Sequence, residues 1–191
     1  TYVFTKISGL PENQIMGSGT ILDTARLRYG LSEHFKVAQG NIHAYVFGEH
    51  GDTSFIPWTG AYISGLSTDE YYEEMKAHGK DVKPLDKEAM LEYVQKSGGK
   101  VIAKKGATFY AVSATVCQLV GLILAASDSL ATVSSMLHGE YGIEDVCLST
   151  LTLVGPNGTQ GKVQMRMNKE EIALLKKSAD ALKKVIAQIE L

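Results

Sequence analysis

Asp23, Arg26 and His50 are the side chains whose types and spacing could do chemistry together. Asp23 and Arg26 stand three apart in Leu22-Asp23-Thr24-Ala25-Arg26, and His50 stands in Gly48-Glu49-His50-Gly51-Asp52. On a helix, positions i and i+3 are neighbours, so carboxylate and guanidinium point the same way. A carboxylate beside an imidazole fixes its tautomer, stabilises the imidazolium and raises its pKa towards neutrality. Such a histidine gives and takes a proton near pH 7. A neighbouring guanidinium offers a planar fork for a substrate carboxylate. The trio suits a small 2-oxo or 2-hydroxy acid. Taken singly, the Asp/Arg pair reads as a surface salt bridge and the histidine as incidental. Two features favour the functional reading. The pair lies among Ile21, Leu22, Ala25 and Leu27, and the histidine follows in a glycine-flanked loop after an apolar run.

Other chemistries fit less well. There is no HExxH, and His34, His43, His50, His78 and His138 lack metal-ligand spacing, so no metal is expected. No G-x-S-x-G elbow is present, and a serine hydrolase would have to use Ser54. Gly17-Ser18-Gly19-Thr20 has two glycines and no strand before it, unlike a dinucleotide loop. Gly99-Lys100 is not followed by Ser or Thr, which excludes a Walker A motif. A net charge of −2 argues against a nucleic-acid partner. Cys117 and Cys147 form no CxxC and sit in apolar segments, so both are expected as buried free thiols in a reducing compartment. The first residues, Thr1-Tyr2-Val3-Phe4, carry no signal-peptide pattern and no Met, which reads as a cut inside a longer protein.

The elements that must position the trio follow from periodicity. Apolar residues at 45% and charged at 21% fit one globular domain over 1–191. Ile21, Leu22, Ala25, Tyr29 and Phe35 predict a helix from about Ser18 to Phe35. Asn41 to Phe47 reads as a strand, and residues 54–66 as one or two more. Asp69 to His78 reads as a polar helix. Asp86 is the expected N-cap of a helix towards Lys105, with Gly98-Gly99 as a possible kink. Tyr110 to Ala126 is the most apolar stretch. It is interrupted by Ser113, Thr115 and Gln118 and short of the ~20 residues a bilayer needs, so a buried helix over about 108–127 is expected and no membrane. Leu130 to Leu137 and Asp145 to Val154 read as strands, with a hairpin turn at Pro156-Asn157-Gly158 and a half-exposed strand from Lys162 to Met167. Asn157-Gly158-Thr159 matches a glycosylation sequon, read here as a turn. Asn168 with Glu171 is close to a capping box for an amphipathic C-terminal helix. The sum is an α+β domain, with long helices on a twisted, mostly antiparallel sheet.

Leu22-Asp23-Thr24-Ala25-Arg26 followed by Gly48-Glu49-His50-Gly51-Asp52-Thr53-Ser54 resembles the bacterial L-lactate dehydrogenases of the lactate/malate dehydrogenase family. Gly17-Ser18-Gly19-Thr20, Lys105-Gly106-Ala107-Thr108 and Gly139-Glu140-Tyr141-Gly142-Ile143 extend the similarity along the chain. It covers the C-terminal, catalytic half of the family and not the NAD-binding Rossmann half. The resemblance implies interconversion of lactate and pyruvate, with His50 giving a proton to the carbonyl oxygen as hydride arrives from nicotinamide. It implies that Asp23 orients His50, Arg26 binds the substrate carboxylate, Thr108 lines the substrate pocket, and Ser18 and Val112 lie near the nicotinamide. It further implies a cytoplasmic homotetramer serving glycolysis and the fermentation of pyruvate to lactate. The carbonyl-polarising arginine and the main specificity loop belong to the other half, so the 191 residues alone are expected to be inactive.

Arg28 stands five residues beyond Asp23, about 140° round a helix, and cannot share its pocket. By itself it reads as a solvated arginine, and His43 as a strand histidine. The resemblance implies that Arg28 and His43 bind fructose 1,6-bisphosphate across a subunit interface in allosteric members. Within the family, an L-2-hydroxyisocaproate or malate dehydrogenase is the alternative, and Thr108 favours lactate over malate. Outside it, the alternatives are a hydrolase using a serine with His50 and Asp23, or a non-catalytic binding or assembly domain.

Overall fold

A computed structural model describes residues 1–190. In chain order the elements are α1 (Tyr2–Ile7), α2 (Ile21–Phe35), β1 (Ile42–His43), β2 (Tyr62–Ile63), β3 (Leu66–Ser67), α3 (Thr68–Ala77), α4 (Lys87–Lys105), α5 (Tyr110–Leu124), β4 (Ser129–Ala131), β5 (Ser134–His138), β6 (Glu144–Ser149), β7 (Thr152–Gly155), β8 (Gly158–Lys162) and α6 (Lys169–Ile186). The strands form three small sheets, ordered β1-β2-β3, β4-β7-β8 and β5-β6, and every pairing is antiparallel. Bridges Gly17 to Ser134 and Gly48 to Ser149 tie the start of α2 and the His50 loop to the β5-β6 sheet.

The helix ends follow their capping residues. Asp86 accepts a hydrogen bond from the Ala89 N–H (2.9 Å) at the start of α4. Asn168 and Glu171 form a reciprocal box at the start of α6, with bonds of 2.8 and 3.0 Å. Glu171 is buried and also accepts from the Thr59 N–H (3.0 Å), so the box anchors α6 to a distant loop. Such caps stabilise a helix by about 1 kcal/mol.

Several expected elements differ in extent. The strand expected from Asn41 to Phe47 pairs regularly only at Ile42–His43. Beyond it, one stripe of α2 and the residue before it takes the place of a neighbouring strand. Thr20 Oγ1 donates to the Val46 carbonyl, Thr24 Oγ1 accepts from the Val46 N–H (3.0 Å), and Arg28 Nε donates to the Ala44 carbonyl (3.1 Å). Positions 20, 24 and 28 are i, i+4 and i+8, one helical face. The runs 130–137 and 145–154 each split in two, so that β4 pairs with β7 and β5 with β6. The Lys162 to Met167 strand is not formed. β8 ends at Lys162, and Met165 and Met167 alternate with polar residues because they pack on the Phe47, Phe55 and Leu175 core. The hairpin at Pro156-Asn157 is present, with Gly155 paired to Gly158. α4 runs through Gly98-Gly99 without a break.

α5 is a helix but not a buried one. Thr115 and Leu119 are its buried residues, and Val112, Val116 and Val120 are exposed. It meets the rest of the chain along one face, where Leu119, Leu122 and Ile123 pack on Ala131, Val133 and Val154. Cys147 is buried, whereas Cys117 on α5 is exposed, contrary to expectation. Among the described residues no helix is long and apolar enough to cross a membrane.

Candidate active site

α2 brings Asp23 into its first turn, where the helix dipole favours a carboxylate. Leu27 and Leu31 on the same helix are fully buried and hold its inner face against the core. Asp23 is left with 6% of its side chain exposed and Arg26 with 16%. The His50 loop is closed at its base by paired backbone bonds between Phe47 and Phe55 (2.9 and 3.0 Å), and Gly48 bonds Ser149 in the same reciprocal way (3.0 Å each). This base fixes where the loop leaves the core, and the loop delivers the imidazole to Asp23.

The two Asp23 oxygens are divided between two partners. Oδ1 accepts from Arg26 Nη1 at 2.9 Å, and Oδ2 lies 2.6 Å from His50 Nδ1. A carboxylate only accepts, so His50 carries its proton on Nδ1 and donates it. Nε2 is thereby left for another partner, as acceptor in the neutral ring and donor in the imidazolium. The Asp23 hydrogen bond raises the His50 pKa above its ordinary value. Burial lowers it, the Asp23 charge raises it further and the Arg26 charge opposes, with a net upward shift.

The site opens on a cavity of about 320 Å³ lined by Asp23, Arg26, His50, Gln95, Gly98, Thr108 and Val112 among others. Gln95 and the glycine pair were not picked out as site residues from sequence. Gln95 Nε2 donates to the Ser54 carbonyl (2.9 Å) and ties α4 to the His50 loop. Gly98 faces the Arg26 guanidinium, and a Cβ there would make ordinary van der Waals contact with Nη2 at 3.8 Å. Two glycines inside a helix were the available signal.

Ser18 is not in that cavity. It borders a second one of about 420 Å³, with Gly17, Gly19, Glu49, Ser149 and again His50. His50 therefore borders both cavities, with Thr108 and Val112 on one side and Ser18 on the other. Ser149 also lines the second cavity, while its Oγ is buried against Gly19 without a hydrogen-bond partner among the described residues. Gly19, at φ +52°, leaves no room for a Cβ, which would meet Ser149 Oγ at 2.4 Å.

Arg28 lies apart from the trio, as its helical offset requires. Its guanidinium sits 5.0 Å from the centre of the Tyr45 ring and borders a separate cavity of about 230 Å³. His43 is exposed on β1, adjacent in sequence to the Ala44 carbonyl that Arg28 bonds. Among the described residues no group of three His, Cys, Asp or Glu side chains is placed to hold a metal ion.

Residues 20–190 match the family described as lactate/malate dehydrogenase, alpha/beta C-terminal domain. The chain belongs to the lactate/malate dehydrogenase family. The L-lactate dehydrogenase of Acetivibrio thermocellus is 44% identical over the whole chain, which covers 59% of that relative. That of Thermoanaerobacter pseudethanolicus is 40% identical, again over the whole chain and 60% of the relative. Among solved structures, an L-lactate dehydrogenase from Clostridium thermocellum superposes with a TM-score of 0.89 at 36% identity, covering 100% of this chain and 61% of that one. A minor L-lactate dehydrogenase from Enterococcus mundtii, in a ligands-bound form, gives 0.91 at 30% identity, covering 100% and 59%. The chain thus spans 59–61% of the lactate dehydrogenases it matches. Its fold is the α/β C-terminal domain of the lactate/malate dehydrogenase family.

Proposed function

We propose that the full protein is an NAD-dependent L-lactate dehydrogenase interconverting (S)-lactate and pyruvate, and that residues 1–191 form its substrate-binding and catalytic domain. The observation that carries this is the shared carboxylate. Asp23 holds the His50 ring and the Arg26 guanidinium side by side at the mouth of one cavity. Arg26 gives one N–H to Asp23, and a guanidinium has five. The others serve the substrate carboxylate. His50 Nε2 then faces the carbonyl oxygen, gives its proton as negative charge develops there, and recovers it in lactate oxidation. Asp23 stabilises the imidazolium between turnovers.

A nicotinamide dinucleotide, when bound, supplies or takes up the hydride. We assign its main binding half, of Rossmann type, to the additional length of the relatives. The chain's own contribution would be Ser18 on one side of His50 and Val112 on the other. Thr108 sets the space for the substrate side chain and favours a methyl over a second carboxylate. We further assign the protein to the cytoplasm as a homotetramer. The test is kcat/KM of the full-length protein with NADH on pyruvate, 2-oxoisocaproate and oxaloacetate. Pyruvate is expected to be the best substrate. Preference for either competitor overturns the substrate assignment in favour of an L-2-hydroxyisocaproate or a malate dehydrogenase.

Arg28 and His43 support a second reading of regulation. Arg28 borders a cavity of its own and His43 is exposed one residue before the Ala44 that Arg28 bonds, and a guanidinium with an imidazole suits a sugar phosphate. Fructose 1,6-bisphosphate is therefore expected to lower the KM for pyruvate in the full-length protein, and Arg28→Gln to remove that response. An unaltered response in Arg28→Gln, or none in the parent, rules this regulation out.

A further inference from the structure

Ser178 lies on α6, fully buried, between Leu175 and Ala179 of the core. A hydroxyl inside an apolar helix face is unfavourable unless it is bonded. Many serines within helices bond back to their own turn. Ser178 instead faces the His50 loop. Its Oγ accepts from the Glu49 N–H at 2.8 Å. It also lies 2.9 Å from Thr53 Oγ1. Thr53 Oγ1 is in turn 2.6 Å from Glu49 Oε1, and the Thr53 N–H donates to the same oxygen at 3.2 Å. Thr53 has one hydroxyl proton and a carboxylate can only accept, so Thr53 gives that proton to Glu49. Ser178 then gives its own to Thr53. One hydroxyl on α6 thus joins the residue before His50 to the residue three after it.

The approach is close. Gly48, at φ +97°, has room for no Cβ, which would meet Ser178 Oγ at 2.8 Å and the Thr53 carbonyl at 3.3 Å. The loop base is held by backbone pairs at Phe47–Phe55 and Gly48–Ser149. The arch that carries His50 has Ser178 as its attachment to α6. α6 itself is fixed by Glu171 bonding Thr59 and by Leu175 and Ala179 in the core.

We propose that Ser178 is a positioning residue for the acid/base group, clamping both sides of His50 through Glu49 and Thr53 so that the imidazole stays seated on Asp23. This rests on the reading of His50 as the proton donor. Arg26 stands on α2, outside the clamped loop, so loosening the arch shifts proton delivery without shifting carboxylate binding. A misplacement of about 1 Å in a reacting group lowers a rate by about a hundredfold. A partial loosening is expected to lower it by about tenfold or more.

The experiment measures pyruvate reduction by the full-length protein carrying Ser178→Ala, Thr53→Val, both together, Thr53→Ser, and Leu175→Val as a packing control. Ser178→Ala and Thr53→Val should each lower kcat about tenfold, with KM for pyruvate within about twofold. The double variant should lose less than the product of the two single losses, because both singles already remove the Ser178–Thr53 bond. Thr53→Ser keeps the hydroxyl and should retain kcat. Leu175→Val should lower the melting temperature and leave kcat within about twofold. If Ser178→Ala fails to fold, Thr53→Val and Thr53→Ser carry the test from the loop side. Unchanged kcat in the hydroxyl-removing variants, beside an inactive His50→Gln, overturns the clamp alone. A rise in KM equal to the fall in kcat/KM, or an equal kcat loss in Leu175→Val, also overturns it. Persistent turnover in His50→Gln would instead overturn the acid/base reading on which the clamp depends.

Discussion

Replacing His50 by Gln in the full-length protein is expected to lower kcat for pyruvate reduction by about 10² to 10⁴-fold, the range that a positioned proton donor contributes. Glutamine is close in size and polar, so it can still hydrogen bond Asp23 Oδ2, to which His50 Nδ1 is joined at 2.6 Å. It cannot deliver a proton to a carbonyl oxygen near neutral pH. The His50 ring is 61% exposed, so its replacement leaves no cavity in the core. The melting temperature should therefore hold, and a direct titration should give an unchanged NADH affinity. Arg26 remains to bind the carboxylate, so pyruvate should still bind. Turnover near the parent level with His50→Gln would make His50 a structural histidine, and the lactate dehydrogenase reading would lose its proton donor.

The placement of the candidate site's residues was legible in sequence where they are close along the chain and one element fixes their directions. Asp23 and Arg26 needed only a helix, and α2 is that helix. The caps at Asp86 and Asn168 were legible for the same reason, since each bonds a residue three positions on. The rest depends on contacts distant in sequence. The strand after His43 looks complete by composition, yet the side chains of α2 and the residue before it supply its partners. α5 reads as buried because it is apolar, yet apolarity does not say against what it packs, and much of its surface stays open along this chain. Met165 and Met167 alternate as a strand would, because alternation reports which side faces a core and not whether backbones pair. Gln95, 41 residues from Ser54, and Ser178, 129 from Glu49, had no local pattern to reveal them.

Asp23→Asn tests the carboxylate at the centre of the arrangement and should act on the pH profile as well as on the rate. The parent Asp23 accepts from Arg26 on one oxygen and from His50 on the other. An amide has one acceptor oxygen and one donor nitrogen. Turned with its oxygen to Arg26, it points an N–H at His50 Nδ1. The neutral ring then carries its proton on Nε2, the wrong tautomer to accept a proton from lactate. The imidazolium, with an N–H facing an N–H, is destabilised. Both directions are impaired, and kcat should fall by about 10² to 10⁴-fold, the span attached to a positioned acid or base. The sign of the pH effect follows from the raised His50 pKa. With His50 as the proposed proton donor, pyruvate reduction needs the protonated ring, so kcat/KM is expected to decline as pH rises through that pKa. In the parent the decline lies above the ordinary histidine value of about 6.5. Without the Asp23 charge and acceptor, the residual activity should decline at lower pH, because the force that raised the pKa is gone. The measurement is kcat/KM for pyruvate from about pH 5 to 9 in parent and variant, with a melting temperature for each. A decline at the parent's pH would mean that Asp23 does not set the protonation of His50, and that its bonds only hold α2 and the loop together.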